Sequence, residues 1–346
     1  CPRTGGCIAG WALCRSLLFA LVMIAPAEVL ATSLYDALKR TKYAPADSLS
    51  EMLPSEGIGS SLKQALNEVM AHNWGAAVVH ANAAGYELVE TRVSGRAYAV
   101  FRARGHIHAT VVLNRAPERD LVLSAPHPSF DRGTDLQAVV FLEALGARAL
   151  IMAGAHRCAA QALAVCSGST RVCGAHAAYR TSDVAHAVDT VFQIAHGWAA
   201  MRWPRAVTLQ LHGFKNRGSP VWFLFSSGGR SLEGKQAFHH RVRDRVRSAL
   251  GSPDVAASCQ DAADRLLRTR WACGRWNVQG RMLNGSSAPC VEGVERASGR
   301  FLHLEQVYTP IREAFHQGRR ESALRQPAVR ALLDALKAEL PQISPD

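Results

Sequence analysis

Two apolar runs along this chain stop abruptly at polar residues. Positions 121–125 lead into Pro126, His127 and Pro128, with Asp131 four residues after the histidine, and positions 207–211 lead into His212, Gly213 and Phe214. Short continuous apolar runs are the pattern of strands buried on both faces of a parallel sheet. Between the two runs, positions 134–145 have helical spacing, begin at Thr134 and stop at Gly146. Positions 149–153 then form a second strand before His156 and Arg157. This is a strand–helix–strand unit. Ligands of open α/β sheets bind outside the carboxyl ends of the strands, so His127, Asp131 and His212 are expected to meet in one pocket.

The remaining pattern fills in around that unit. Residues 32–75 read as a helical N-terminal segment, most regular at 60–70, and 86–113 as two or three successive strands. A helix is predicted over 182–196 with Ser182 as its N-cap. Trp222 opens a short strand, helices are expected at about 232–250 and 260–270, and the segment 284–289, rich in Gly, Ser and Asn, is a loop. The strand 301–305 comes last, before helices at about 310–317 and 326–339. The expected fold is α/β, an open, mostly parallel mixed sheet with helices on both faces. Its expected divisions are 1–31, an N-terminal helical and β segment at 32–118, and an α/β core at 119–346, the last two forming one compact domain.

The first 31 residues change the picture of where the protein works. Arg3 and Arg15 precede the apolar stretch 17–24, and the small residues of 29–31 come before Thr32, the layout of a cleavable secretory signal. The stretch is too short for an ordinary membrane span. A secreted or periplasmic protein without stable membrane insertion is therefore expected. Cysteine usage agrees. Beyond Cys1, Cys7 and Cys14, six cysteines fall in two groups, Cys158, Cys166, Cys173 and Cys259, Cys273, Cys290. An even count in an exported chain reads as disulfides, and two groups of three require a bridge between them if all six pair. The net charge of +12 is partly concentrated at 241–247, where four arginines alternate with other residues. That stretch is either a solvated helix face or an attraction for anionic partners. Nucleic acid is a poor partner for an exported chain without a recognisable binding motif.

Two imidazoles and one carboxylate form the ligand set of a catalytic zinc that leaves a coordination position open for water. Such a site also needs a carboxylate to move protons, and Glu305, at the end of a late apolar strand, fits that role or else an ion pair with Arg312. Arg157 has the geometry to clamp a carboxylate or stabilise an oxyanion, or to pair with Asp131 or Asp183. His156 and His186 read as core residues.

The order His-x-x-x-Asp, then a strand-terminal Leu-His-Gly-Phe, then a late strand ending in Glu resembles the zinc carboxypeptidase-like superfamily. The likeness is to its amidohydrolase branches, which include succinylglutamate desuccinylase, N-formylglutamate amidohydrolase and poly-γ-glutamate hydrolase-like proteins, and it spans about residues 119–306. The resemblance implies His127, Asp131 and His212 as zinc ligands, Glu305 as general base, and Arg157 in substrate or oxyanion binding. One departure matters: the family's acidic ligand stands three residues after the first His, where this chain has Phe130. Asp131 follows it, and Asp135 is the next acid able to serve. The expected function is an exported zinc hydrolase cleaving an amide bond adjacent to a carboxylate, in an acidic peptide, an acyl amino acid or a γ-linked polymer. The alternatives are a metal phosphoesterase and a non-catalytic module that binds anionic polymers.

Overall fold

The computed structural model describes residues 33–343, apart from 55, 106–108, 216–217 and 265–271. The secretory signal expected at 1–31 and most of the helix expected at 260–270 lie outside the described residues. The strands are β1 (Tyr86–Val93), β2 (Arg96–Ala103), β3 (Thr110–Asn114), β4 (Arg119–Ala125), β5 (Ala147–Met152), β6 (Val207–Gly213), β7 (Phe223–Ser226), β8 (Ala256–Ser258) and β9 (Phe301–Gln306). They form one sheet in the order β1-β2-β3-β5-β4-β6-β9-β7-β8. Its centre, β5-β4-β6-β9, is parallel. Antiparallel pairs join β1 to β2, β2 to β3, β3 to β5 and β7 to β9, and β8 runs parallel to β7 at the far edge, so the sheet is mixed around a parallel centre.

Helices cover both faces. On one side α1 (Leu34–Leu38), α4 (Thr134–Leu145), α6 (Phe238–Leu250) and α10 (Pro327–Glu339) bury Leu121, Leu123, Leu209, Leu211, Leu302 and Leu304. On the other, α2 (Ile58–Met70), α3 (Trp74–Ala83) and α5 (Val191–Arg202) pack on Val111, Leu113, Val122, Ala149 and Ile151. Among the described residues three short helices, α7 (Val278–Leu283), α8 (Glu313–His316) and α9 (Arg320–Arg325), and a π-helical turn at Tyr308–Arg312 complete the set. No helix among the described residues is long and apolar enough to cross a membrane.

The central strands alternate more than their apolar look suggests. Leu209 and Leu211 of β6 enter the first core, which leaves Thr208, Gln210 and His212 on the opposite, α5-covered face. In β9, Leu302 and Leu304 do the same, leaving His303 and Glu305 beside them. The register pairs Gln210 with His303 and His212 with Glu305. Four polar side chains therefore stand together on one face at the carboxyl end of the sheet.

Three expectations are corrected. Residues 39–54, after α1, are turns and irregular chain with isolated bridges from Ala44 to Ala155 and from Leu49 to Ala160, because Pro45 and Pro54 interrupt any helix there. The helix expected from Ser182 begins only at Val191, capped by the Thr190 side chain accepting from the Gln193 amide. Ser182 has other partners: its hydroxyl donates to the Arg157 carbonyl and accepts from the Ala160 amide, both at 2.9 Å. The helix expected from 232 starts at Phe238. The arginines of α6 find acids within the chain: Arg241 and Arg245 pair with Glu339 of α10, Arg243 with Asp261 and Asp264, and Arg247 with Asp264.

Disulfides join Cys158 to Cys173, Cys166 to Cys290 and Cys259 to Cys273. The second links the two cysteine groups, as pairing of all six requires. It and the first tie down the loop that follows β5.

Candidate metal centre

The site is built where β4, β6 and β9 end. After β4 the chain folds back on itself, with the amides of Phe130 and Asp131 both donating to the His127 carbonyl, at 3.0 and 2.7 Å. This turn brings Asp131 Oδ2 to 3.5 Å from His127 Nδ1 and 3.2 Å from His212 Nδ1. Donor atoms of His127, Asp131 and His212 lie within 4.8 Å of one another, and all three residues are buried. Phe130 occupies the position three after the histidine but points into the mouth of the cavity, and the tight turn lets the acid one residue later take its place. Asp135 is elsewhere, in the first turn of α4, where it accepts a hydrogen bond of 2.8 Å from the Tyr43 hydroxyl.

A residue hidden in the expected helix orients the first imidazole. Asp183 Oδ1 lies 2.7 Å from His127 Nε2, and its other oxygen accepts from Nε and Nη2 of Arg157. A buried carboxylate accepts only, so His127 carries a hydrogen on Nε2 and turns its Nδ1 towards Asp131. Pairing a metal-facing histidine with an outer carboxylate is how such ligands are oriented. His212 has an outer partner too, since its Nε2 lies 3.1 Å from Gln210 Oε1.

The charges are mutually adjusted. Burial acts to raise the Asp131 carboxyl, but the adjoining rings of His127 and His212 outweigh it and hold it well below the usual carboxylate range. Asp183 is likewise held down against burial by Arg157, His186 and His127. Burial pushes His212 down to about 4. Glu305 is pushed up to about 8 by burial and by the negative charge of Asp131, with Arg312 and Arg157 opposing.

The donor set fits a divalent cation. His127 Nδ1 is buried without a hydrogen-bond partner, facing an Asp131 oxygen that bears lone pairs of its own. A cation placed among these atoms would bind the ring nitrogens and the carboxylate together. Glu305 Oε2 is also buried without a partner, and its Oε1 is 3.8 Å from His303 Nε2. Glu305 makes no hydrogen bond to Arg312. That arginine donates instead to the carbonyls of Gln306 and Arg132. Its backbone and guanidinium press so closely on Gly133 and Gly213 that neither position has room for a Cβ, and Gly133 also has a φ of +88°. A second triad, His212, His303 and Glu305, brings donor atoms within 4.8 Å as well.

These residues open onto a cavity of about 650 Å³. Phe130, Tyr179 and Trp276 form part of its wall, and Arg157, Arg171 and Lys215 give it positive charge. Arg157 is clamped by Asp183 rather than free to swing. His156 and His186 are structural: His156 Nδ1 accepts from the Cys158 amide, and His186 stacks on Tyr179 while contacting the Trp276 carbonyl. Sequence reasoning missed Asp183 as a site residue, and His303, Gln210 and Asn277 altogether. The alternation of polar residues at 208, 210, 212 and at 303, 305 was the available signal.

No protein-family model and no curated protein matches the chain. Among solved structures it is similar to a carboxypeptidase A candidate from Shewanella denitrificans OS-217, with 12% identity over 65% of this chain and a TM-score of 0.32. The match spans 61% of that chain, less than two thirds of its length. It is also similar to a metallo-carboxypeptidase from Pseudomonas aeruginosa in complex with (2-guanidinoethylmercapto)succinic acid, with 13% identity over 78% of this chain and 69% of that one, and a TM-score of 0.34.

Proposed function

We propose that this chain is an exported zinc-dependent hydrolase that cleaves an amide bond adjacent to a carboxylate, in an acidic peptide, an acyl amino acid or a γ-linked polymer. The observation that carries the reading is the convergence of His127, Asp131 and His212 beside the unpartnered carboxylate of Glu305 at the floor of one cavity. Zinc held by the three would supply a Lewis acid for the carbonyl and a water acidic enough to ionise near neutral pH.

The chain's own residues do the rest. Glu305, with one oxygen unengaged, takes a proton from the attacking water and returns it to the leaving amine. Arg157, Arg171 and Lys215 draw the acidic group of the substrate into the cavity and hold it against the wall. Arg157, fixed by Asp183, lends positive charge at a set place. The three disulfides agree with an oxidising compartment.

Metal analysis of purified protein, followed by hydrolysis assays on acyl-glutamates, acidic dipeptides and γ-glutamyl peptides, tests this. One zinc per chain and turnover that needs the acidic group are expected; absence of metal overturns it. One observation favours a second reading, a metal phosphoesterase: His212, His303 and Glu305 form another donor group. Two metals per chain and turnover of phosphate esters would establish that reading instead.

A further inference from the structure

Behind His212 lies a chain of buried amides whose direction is fixed at its far end. Gln279 Nε2 is 2.8 Å from the Val184 carbonyl and 2.9 Å from Gln193 Oε1. A main-chain carbonyl only accepts, so the group facing it is the NH2, and Gln279 cannot be turned over. Its Oε1 therefore points at Gln210, 3.0 Å from Gln210 Nε2. The second hydrogen of that NH2 meets Ser124 Oγ at 3.3 Å. Gln210 is fixed in turn, and its Oε1 faces His212 Nε2 at 3.1 Å while accepting from Asn277 Nδ2. Asn277 Nδ2 also lies 3.3 Å from His212 Nε2. A lone pair on that nitrogen would face the Gln210 oxygen lone pair, while Nδ1 faces Asp131 Oδ2 at 3.2 Å, where a bound cation would take the place of a hydrogen; with the cation there, Nε2 carries the hydrogen and donates to Gln210. Gln210 and Gln279 are wholly buried.

We propose that Gln210, aligned by Gln279 and the Val184 carbonyl, is a positioning residue that holds His212 in the form protonated on Nε2, with Nδ1 turned towards Asp131 and the place of the metal. The proposal rests on the reading of His212 as a ligand and adds what decides its tautomer. The two imidazoles reach the same form by different means, His127 through a charged carboxylate and His212 through a neutral relay. Neutral partners leave the metal site's charge unchanged while still ordering the ring.

The test uses the full chain and two measurements. Nitrogen NMR of the histidine rings in zinc-free protein is expected to show His212 with hydrogen on Nε2 in the wild type and a mixture of tautomers in Gln210→Met. Zinc affinity, measured by competition with a chelator, is expected to fall about 10- to 100-fold in Gln210→Met. Gln279→Met, which leaves Gln210 in place but free to rotate, is expected to show a smaller loss, and the double variant no more than Gln210→Met alone, because both act through one relay. Should Gln210→Met fail to fold, Gln279→Met carries the test. Wild-type affinity in both variants overturns the proposal, as does a wild-type His212 protonated on Nδ1. A wild-type protein that binds no zinc overturns the hydrolase reading instead, and the NMR result still decides the tautomer.

Discussion

Asp183 binds His127 with one oxygen and Arg157 with the other, so a single buried carboxylate joins an imidazole of the metal cluster to a cation of the cavity wall. Removing it leaves a buried guanidinium without its partner, and breaking buried pairs in this way costs about 3–5 kcal/mol. Asp183→Ala is therefore expected to lower the thermal midpoint sharply and to lose zinc. Asp183→Asn, which keeps an acceptor for His127, is expected to fold and to bind zinc about 10- to 100-fold more weakly. Calorimetry and chelator competition measure the two effects separately. Equal zinc affinity in the wild type and Asp183→Asn would mean that His127 needs no orienting partner.

His127→Ala and His212→Ala are expected to abolish zinc retention, because a three-ligand site loses its chelate geometry with any one member. Metal content after dialysis checks this. Full occupancy in either variant would remove that residue from the ligand set.

Glu305→Gln keeps the shape of the side chain but cannot take up a proton. Zinc content is expected to persist while turnover falls about 10²- to 10⁴-fold, the usual contribution of a positioned base. Loss of zinc with activity would make Glu305 a ligand, in line with the His212, His303 and Glu305 grouping. Unchanged turnover would leave it with no part in proton transfer.

Acid stability should depend on His196, which burial beneath the sheet pushes down to about 3. An unfolded histidine titrates near 6.5, so below that pH the unfolded chain binds a proton that the native one refuses. Stability owed to the neutral ring is fully present above about pH 6.5 and is lost as pH falls towards 3, at up to ~1.4 kcal/mol per pH unit. Urea unfolding of wild type and His196→Gln between pH 4 and 7 should give a difference that changes with that slope. A constant difference would mean that the ring titrates alike in the native and the unfolded chain.

The Cys166–Cys290 bridge closes a separation of 124 residues. Replacing both cysteines by serine is expected to cost about 2–5 kcal/mol, because the unfolded chain regains the freedom that the bridge removes. Denaturant titration measures this. A change below 1 kcal/mol would indicate that the loop is held by its other contacts.

The parts of the site that announce themselves in the sequence do so for a topological reason. His127, Asp131, His212 and Glu305 follow or close apolar stretches, and in a parallel sheet those stretches end on the same edge. Helix α4 is readable to the residue because Gly146 ends it in a left-handed conformation. Asp183 was not readable as a site residue because the apolar spacing of 182–196 imitates one helix. The hydroxyl of Ser182 and the carboxylate of Asp183 each have partners near residue 157, which hold the backbone open until Thr190 caps α5. Gln210 and His303 were lost because their runs read as strands buried on both faces, which hides the alternation; every residue of β6 before Gly213 and all of β9 are indeed buried, whichever face they serve. The three-residue β8 follows Pro253 and a helix end, and is too short for any periodic signal.

Arg312 reaches the loop after β4 through the Arg132 carbonyl, crowds the end of β6 at Gly213, and grips the end of β9 through the Gln306 carbonyl. Those three strand ends carry Asp131, His212 and Glu305. Their mutual spacing is thus one mechanical variable, because a displacement of any strand end is transmitted through the same guanidinium to the other two. A methyl group added at 133 or 213 would act as a wedge, driving apart donors it never touches. Lysine at 312 would supply the charge without the planar, three-way brace, so the bore of the site would widen while its sign stayed the same.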